Sequence, residues 1–247
     1  MNIVLFSEHE LGRNLTRRDE RTIHLVKVLH KKPGDYFEAG ILGGNRGTGK
    51  IEKINFDGSI FVSLTVDDPP PEKLKIRAGF ALVRQIQIRR ILKDLTNIGI
   101  SHIDIFGTDM GEKSYKDTKL FTDGGAQEAI IEGLSQARDS ILPELSIYEN
   151  IDEWLAKKPW QESTSNKSPF LCVLDNIRPE GSFFNTTSIN RNCVFAVGPE
   201  RGFTDRERKL FEQAGFLRLS MGNRALRTEL ACTAAAVLAM EKMHGLI

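Results

Sequence analysis

The sequence predicts an α/β protein whose parallel sheet is preceded by a small β-barrel domain. Three prolines at residues 69–71 mark the boundary, because proline cannot continue a strand or a helix. Before the prolines, short strands are separated by glycine-rich and Asp-Gly turns, a pattern typical of antiparallel hairpins. After them, strand-like and helical segments alternate, which indicates a parallel sheet covered by helices. We therefore expect one domain at residues 1–70 and a second at residues 71–247.

The individual elements follow from local patterns. In the first domain, residues 36–66 alternate apolar and polar positions and predict the strands of the antiparallel barrel. In the second domain, apolar runs predict strands at 76–83, 102–107, 170–175, 192–198 and 216–220. Helical periodicity predicts helices at 84–99, around 124–139, at 205–215 and from residue 230 onward. The spacing Thr204-x-x-Glu207 is a capping box that starts the third of these helices.

The composition indicates a globular protein of the cytoplasm. Hydrophobic residues make up 40% of the chain and charged residues 27%, and no run of about 18 apolar residues occurs. The N-terminus lacks the basic start of a signal peptide, so we expect neither export nor membrane insertion. Cys172, Cys193 and Cys232 are too far apart for C-x-x-C spacing, which argues against a zinc site or a disulfide scaffold.

Positive charge is concentrated in two blocks, although the net charge is only +1. Seven basic residues and no acidic ones lie between Lys73 and Lys93, and nine basic against four acidic residues lie between Arg13 and Lys50. Such blocks suit a polyanionic partner, whereas an isolated charge run is more often a solvated face. Because both blocks are interleaved with apolar residues and so belong to folded surface, we favour nucleic acid as the partner.

A phosphate-loop outline, Gly44-x-x-x-x-Gly49-Lys50, occurs within the first domain. The next residue is Ile51, where a magnesium-binding Ser or Thr is required, and strand-like sequence follows where a helix is required. A glycine-rich hairpin that displays Arg46 and Lys50 at its tip, where they can contact an RNA backbone, is the better interpretation.

Two glycine-bearing loops follow predicted strands of the second domain. Gly198–Gly202 follows a buried strand, and Met221–Asn223 follows the next one. Ligands of open α/β sheets bind at the carboxyl ends of the strands, so two such loops predict a cleft. Arg227, Thr228 and Glu229 then begin an almost wholly apolar helix, whose first N–H groups require Thr228 or a ligand as partners. The pattern does not decide whether Arg227 and Glu229 form a structural ion pair or face the cleft.

These residues carry a family resemblance. The stretches VGPERGFTDRE (197–207) and LSMGNRALRTELACTAAAVLA (219–239) resemble the paired C-terminal motifs of the ribosomal RNA small subunit methyltransferase E family, of the SPOUT class. HLVKVLHKKPGD (24–35), EKSY (112–115) and EGLSQARDSILPEL (132–145) are similar to that family's other motifs in the same order. Family members commonly have glycine at the position of Arg201.

The resemblance implies an N-terminal PUA-like barrel, a deep trefoil knot, a homodimer formed through the C-terminal domain, and methylation of uridine N3 in 16S rRNA of the small ribosomal subunit. It implies S-adenosyl-L-methionine bound by Leu174, Val197, Gly198, Glu200, Gly202, Leu219, Met221, Gly222, Asn223, Leu226, Arg227 and Thr228. Arg227, Glu229 and Glu200 are the candidate catalytic residues, and no metal is required. The candidate RNA-binding residues are Lys31, Lys32, Arg46, Arg84, Arg89, Arg90 and Lys113. The alternative is an RNA-binding module of the same fold that lacks catalytic activity.

Overall fold

The computed structural model describes residues 1–112, 119–161, 168–187, 189 and 192–243. The chain divides into two compact units. The first unit contains Met1–Glu72 together with Ile131–Leu142, and the second contains Lys73–Ile130 together with Pro143–Ile247. Residues 131–142 therefore belong to the first unit, which corrects the simple division at residue 70.

The first unit is built on a four-stranded sheet in the order β1-β2-β3-β4. Its strands are β1 (Val4–Phe6), β2 (Tyr36–Ile41), β3 (Arg46–Ile54) and β4 (Ile60–Asp68). β2, β3 and β4 form the predicted antiparallel hairpins, whereas β1 pairs with β2 in parallel. Between β1 and β2, helix α1 (Glu20–Thr22) continues as a π-helical segment, Ile23–Val28. Leu25, Ile51 and Ile60 are fully buried in the core of this unit.

The glycines of the phosphate-loop outline serve strand packing. Gly47 and Gly49 lie within β3. A side chain at Gly47 would collide with the carbonyl oxygen of Thr65 on β4, and one at Gly49 would collide with the Phe37 ring on β2. Because this stretch is a central strand and no helix follows it, it has none of the geometry that binds a nucleotide phosphate.

The second unit contains a seven-stranded sheet in the order β7-β6-β5-β10-β8-β11-β9, and its strand pairs are parallel. This confirms the predicted α/β class. The strands are β5 (Leu74–Ala81), β6 (Ile100–Phe106), β7 (Glu144–Tyr148), β8 (Phe170–Leu174), β9 (Gly181–Ser182), β10 (Cys193–Val197) and β11 (Leu217–Ser220). The helices are α2 (Gln85–Ile98), α3 (Lys119–Thr122), α4 (Gly125–Ala137), α5 (Ile151–Lys157), α6 (Asp205–Gln213) and α7 (Thr228–Lys242), of which α4 belongs to this unit only as far as Ile130. In the described ranges, no helix is long and apolar enough to cross a membrane.

The strand order places three strand ends side by side. β8 lies between β10 and β11, and the end of β8, Leu174, is in register with Val197 of β10 and with Leu219 of β11. All five residues of β10 are buried, as expected for a strand covered on both faces. The loops that leave these three strands therefore emerge together at one edge of the sheet.

Candidate active site

A cavity of about 260 Å³ lies at the carboxyl ends of β8, β10 and β11. Its wall consists of the loops that follow these strands and the start of α7. The predicted cofactor-binding residues that line the cavity are Leu174, Val197, Gly198, Glu200, Gly202, Met221, Leu226 and Thr228. Leu219, Gly222, Asn223 and Arg227 belong to the same strand and loop but do not line it. The sequence thus identified both glycine-bearing loops that form the cavity.

The loop that follows β8 contributes residues that sequence reasoning missed. Asp175, Asn176 and Ile177 line the cavity. The Asp175 carboxylate accepts a 2.6 Å bond from Nε of Arg208 on α6 and a 2.9 Å bond from the backbone N–H of Ile177. Asn176 donates from Nδ2 to the carbonyl oxygen of Arg224, at 3.1 Å. These bonds hold the loop and connect it to the loop after β11, although no spacing in the sequence pairs Asp175 with Arg208.

Two glycines of the site have left-handed backbone conformations. Gly202 has φ +70° and Gly222 has φ +100°, a region that side-chain-bearing residues rarely adopt. Gly198 is constrained differently, because a Cβ there would lie 3.0 Å from the Phe203 ring. Such positions let backbone N–H and C=O groups line a cavity without a side chain in the way.

Thr228 joins the loop after β10 to the start of α7. Its hydroxyl donates to the carbonyl oxygen of Gly198, at 3.2 Å. Arg227 is the N-cap residue of α7, and no side chain caps this helix start among the described residues. Thr228 therefore links the loop after β10 to α7 and does not cap the helix, so of the two partners predicted for the first N–H groups of α7 the ligand remains.

Arg227 and Glu229, on either side of the lining residue Thr228, form a long ion pair. Nη1 of Arg227 lies 3.6 Å from Oε1 of Glu229, and the side chains are 75% and 11% exposed. Because the pair is long and its cation is largely in solvent, it contributes little to stability, which favours the functional interpretation of Arg227 over the structural one. Gln87 on α2, which the sequence did not single out, donates from Nε2 to Glu200 Oε1 at 2.8 Å and to Glu229 Oε2 at 3.3 Å. The three predicted catalytic residues thus come from two separate segments, and Gln87 connects the two carboxylates.

The predicted RNA-binding residues of the first unit differ in their surroundings. Lys32 is exposed and Lys31 is partly exposed. Arg46 donates from its two terminal nitrogens to the backbone carbonyls of Arg138 and Pro69, at 2.8 and 3.0 Å. Arg46 therefore fastens two loops of its own unit, and the expectation that it is displayed at a free hairpin tip is wrong.

The basic block of the second unit is also only partly on the surface. Arg84 and Arg90 are exposed, and Arg89 lies 3.2 Å from the Glu128 carboxylate. Arg77, which the charge count included, is buried and binds both oxygens of the Asp104 carboxylate. The predicted RNA contact Lys113 lies outside the described residues.

The cysteines do not form a reactive centre. Cys172, Cys193 and Cys232 are buried and unpaired as disulfides. Burial raises the pKa of the Cys172 and Cys232 thiols, so both stay protonated and are poor nucleophiles. The described part of the chain contains no group of three or more His, Cys, Asp or Glu side chains that could hold a metal ion.

Comparison with known proteins links this chain to RNA methyltransferases. A model of the RNA methyltransferase domain family matches residues 70–240. The ribosomal RNA small subunit methyltransferases E of Borreliella burgdorferi and Treponema pallidum are 34% and 32% identical to this chain, over 98% and 99% of its length and 99% and 92% of theirs. The S-adenosylmethionine-bound crystal structure of the Neisseria gonorrhoeae methyltransferase of that name has a TM-score of 0.72 and 18% identity, over 98% of this chain and 97% of that one. At that identity, the structural likeness concerns the fold.

Proposed function

The chain belongs to the ribosomal RNA small subunit methyltransferase E family, and we propose that it transfers a methyl group from S-adenosylmethionine to N3 of a uridine in 16S rRNA. The observation that carries the proposal is the cavity at the carboxyl ends of β8, β10 and β11, which Glu200 lines and which Arg227 and Glu229 adjoin in sequence on either side of the lining residue Thr228. The substrate is rRNA, either free or in the small ribosomal subunit, and the reaction takes place in the cytoplasm.

The residues around the cavity fit the proposed cofactor. Apolar side chains at Leu174, Val197 and Leu226 can enclose an adenine ring, and the left-handed Gly202, which lines the cavity, leaves backbone groups accessible to its polar edges. S-adenosylmethionine, when bound, supplies a methyl group that its sulfonium charge has already activated. The protein then has to orient the base and help its N3 lose a proton.

The polar cluster supplies these two functions. Glu229, or Glu200 beside it, would accept the proton that uracil N3 loses as N3 bonds to the methyl carbon and the sulfur–methyl bond breaks, which leaves S-adenosylhomocysteine. Arg227 stabilises the negative charge that develops on the uracil, and its exposed guanidinium is available to an incoming base. No step of this scheme requires a metal ion.

The remaining expectations form part of the same proposal. The first unit is a PUA-like barrel that binds RNA, and the second forms a trefoil knot around the cofactor. The chain pairs as a homodimer through its C-terminal domain, which is supported by apolar residues that α7 leaves exposed, Leu230 at 49% and Val237 at 44%. Lys31, Lys32, Arg84 and Arg90 contribute charge that attracts the rRNA backbone.

Methyl transfer to defined RNA tests the proposal. Purified protein is incubated with radiolabelled S-adenosylmethionine and with 16S rRNA or small subunits from a strain that lacks the gene, and the modified nucleotide is mapped by mass spectrometry. We expect one methyl group on uridine N3. The alternative is an RNA-binding module without catalytic activity, which would bind RNA but transfer no methyl group. Calorimetry with S-adenosylmethionine adds a second criterion, since only the proposed enzyme requires the cofactor.

A further inference from the structure

Gln87 occupies an unusual position beside the proposed catalytic residues. It lies in the first turn of α2, which follows β5, whereas Glu200 lies in the loop after β10 and Glu229 in the first turn of α7. One amide nitrogen bonds both carboxylates, at 2.8 and 3.3 Å. Gln87 is thus a neutral donor that connects three separate segments, one of which carries the cavity-lining Glu200.

The other end of the same amide has no partner. Oε1 of Gln87 is buried, and no described group donates a hydrogen bond to it. A buried carbonyl without a donor destabilises a fold, so such groups are uncommon. Rotating the amide by 180° would not relieve the problem, because it would direct Oε1 at two carboxylates. The donor bonds to Glu200 and Glu229 therefore fix the orientation of the amide, at the expense of its acceptor.

This combination of a doubly used donor and an orphaned acceptor is the pattern of a side chain that serves a site at some cost to stability. We propose that Gln87 is a positioning residue of the methyl-transfer reaction, which holds the Glu200 and Glu229 carboxylates together beside Arg227. This inference rests on the proposed function. Gln87 acts through the two carboxylates and does not itself accept the N3 proton.

Gln87 can hold the two carboxylates together because a hydrogen-bond donor placed between them offsets their mutual repulsion. Of these two carboxylates, Arg227 pairs with that of Glu229, and its Nη1 lies 3.6 Å from Oε1. A neutral amide offers two N–H groups without adding a charge that would neutralise the proposed base. Without this donor, Glu200 is free to swing into solvent, since its side chain lies on an exposed loop. The base would then be misplaced even though the cofactor still binds.

The variant Gln87→Met tests this, with Gln85→Met as the matched control on the same helix turn, where Gln85 is exposed. Methionine keeps the length of the side chain but cannot donate. We expect kcat to fall by up to about 100-fold, the scale for a catalytic group that is misplaced by about 1 Å. The KM for S-adenosylmethionine and the thermal midpoint should stay close to wild type, because the lost donor bonds and the removed orphan oxygen have opposite effects. Gln85→Met should match wild type throughout.

A charge-adding variant gives a second readout. Gln87→Glu places a third carboxylate against Glu200 and Glu229, and like charges resist simultaneous ionisation. The pH–rate profile of Gln87→Glu should therefore move to higher pH, with part of the lost activity recovered in alkaline buffer, whereas Gln85→Glu should keep the wild-type profile. A purely structural glutamine would alter the thermal midpoint and leave the profile in place.

Nuclear magnetic resonance separates this inference from the proposed function. The side-chain amide signals of Gln87, assigned by their absence in Gln87→Met, should shift on acidification as the carboxylates take up protons, while those of Gln85 should not. If wild-type protein transfers no methyl group but the Gln87 signals respond, the proposed function fails and the arrangement around Gln87 stands. If wild type is active and Gln87→Met keeps its kcat and its pH profile, the inference is overturned.

Discussion

Two clusters in the second unit each contain carboxylate, arginine and neutral N–H groups, but one cluster is buried and the other is partly exposed. In the first cluster, Asp104 is fully buried and accepts bonds from Arg77 Nη1 at 2.9 and 3.1 Å and from Trp154 Nε1 at 2.7 Å. In the second cluster, Glu200 and Glu229 share the Gln87 amide, and Arg227 extends into solvent.

The two clusters differ in whether their hydrogen-bonding and charged groups find partners within the cluster. Desolvation by burial raises the pKa of Asp104, and the charge of Arg77 and the Trp154 hydrogen bond oppose that rise. Trp154 is also surrounded by aromatic rings, including Phe106 and Trp160, with centroids 4.9 and 5.1 Å away. The side chains of Asp104 and Trp154 are fully buried in this cluster. The Gln87 cluster keeps an exposed cation and an unpaired acceptor, and these are the features expected of a group that acts on another molecule.

The largest loss of stability is expected when the buried Asp104 cluster loses its carboxylate. Asp104→Ala leaves a buried Arg77 guanidinium without its counter-ion, and removing one partner of a buried pair costs about 3–5 kcal/mol of folding free energy. Urea unfolding measures this loss. Glu128→Ala removes the same charge from the exposed Arg89 pair and should cost less than about 1 kcal/mol. Equal losses in the two variants would show that burial does not distinguish the pairs.

The next largest effect is expected in the Gln87 cluster, where a substitution should lower the rate of methyl transfer and leave stability nearly unchanged. Arg227→Ala removes a charge that faces solvent, so the free energy of unfolding should barely change. If Arg227 stabilises charge that develops on the uracil, kcat should fall by about 100- to 1,000-fold, as for other groups that stabilise an anionic transition state. RNA affinity measured by filter binding should remain near wild type. Loss of RNA binding with unchanged turnover per bound complex would instead identify Arg227 as a phosphate clamp.

The contrast between the clusters also shows what the sequence could predict. Local signals were reliable: the Thr204–Glu207 capping box forms, and the α6 helix that it starts is followed by Gly215 with φ +85°. The order of strands and helices gave the parallel sheet, and the glycines after two strands located the cavity. Short elements were missed, among them β7, β9 and α5, because five, two and seven residues carry too little periodicity.

Long-range pairing could not be predicted, and it decides the role of each charge. Arg77 and Arg84 look alike in the sequence, yet one is buried against Asp104, 27 residues away, and the other is exposed. Gln87 lies 113 residues from Glu200 and 142 from Glu229, and an isolated glutamine on a helix gives no hint of either partner. Counting charges along the chain therefore overstated the basic surface and missed the polar group between the proposed catalytic carboxylates.

A third prediction compares backbone strain inside and outside the site. Gly222 and Gly215 have left-handed φ values of +100° and +85°, with open space around both Cβ positions. Valine at either position should cost about 1–2 kcal/mol or more in backbone energy. At Gly222 that strain distorts the loop after β11, so S-adenosylmethionine affinity measured by calorimetry should fall about tenfold or more. Gly215→Val should lower the thermal midpoint and leave cofactor affinity unchanged, and equal affinities in the two variants would remove Gly222 from the proposed site.

The smallest expected effect concerns RNA binding. It distinguishes basic side chains that are exposed from one that hydrogen-bonds within the protein. Lys32 and Arg90 are exposed, whereas Arg46 donates to the carbonyls of Arg138 and Pro69. A phosphate contact made by a lysine or arginine releases a counter-ion, so each lost contact with single-stranded RNA should flatten the plot of log affinity against log salt by about 0.7. Lys32→Gln and Arg90→Gln should each lower that slope without changing cofactor affinity. Arg46→Gln removes the same charge, but it should lower the thermal midpoint and keep the wild-type slope. A flattened slope in Arg46→Gln would mean that RNA displaces its carbonyl partners and that the arginine reaches the phosphate backbone after all.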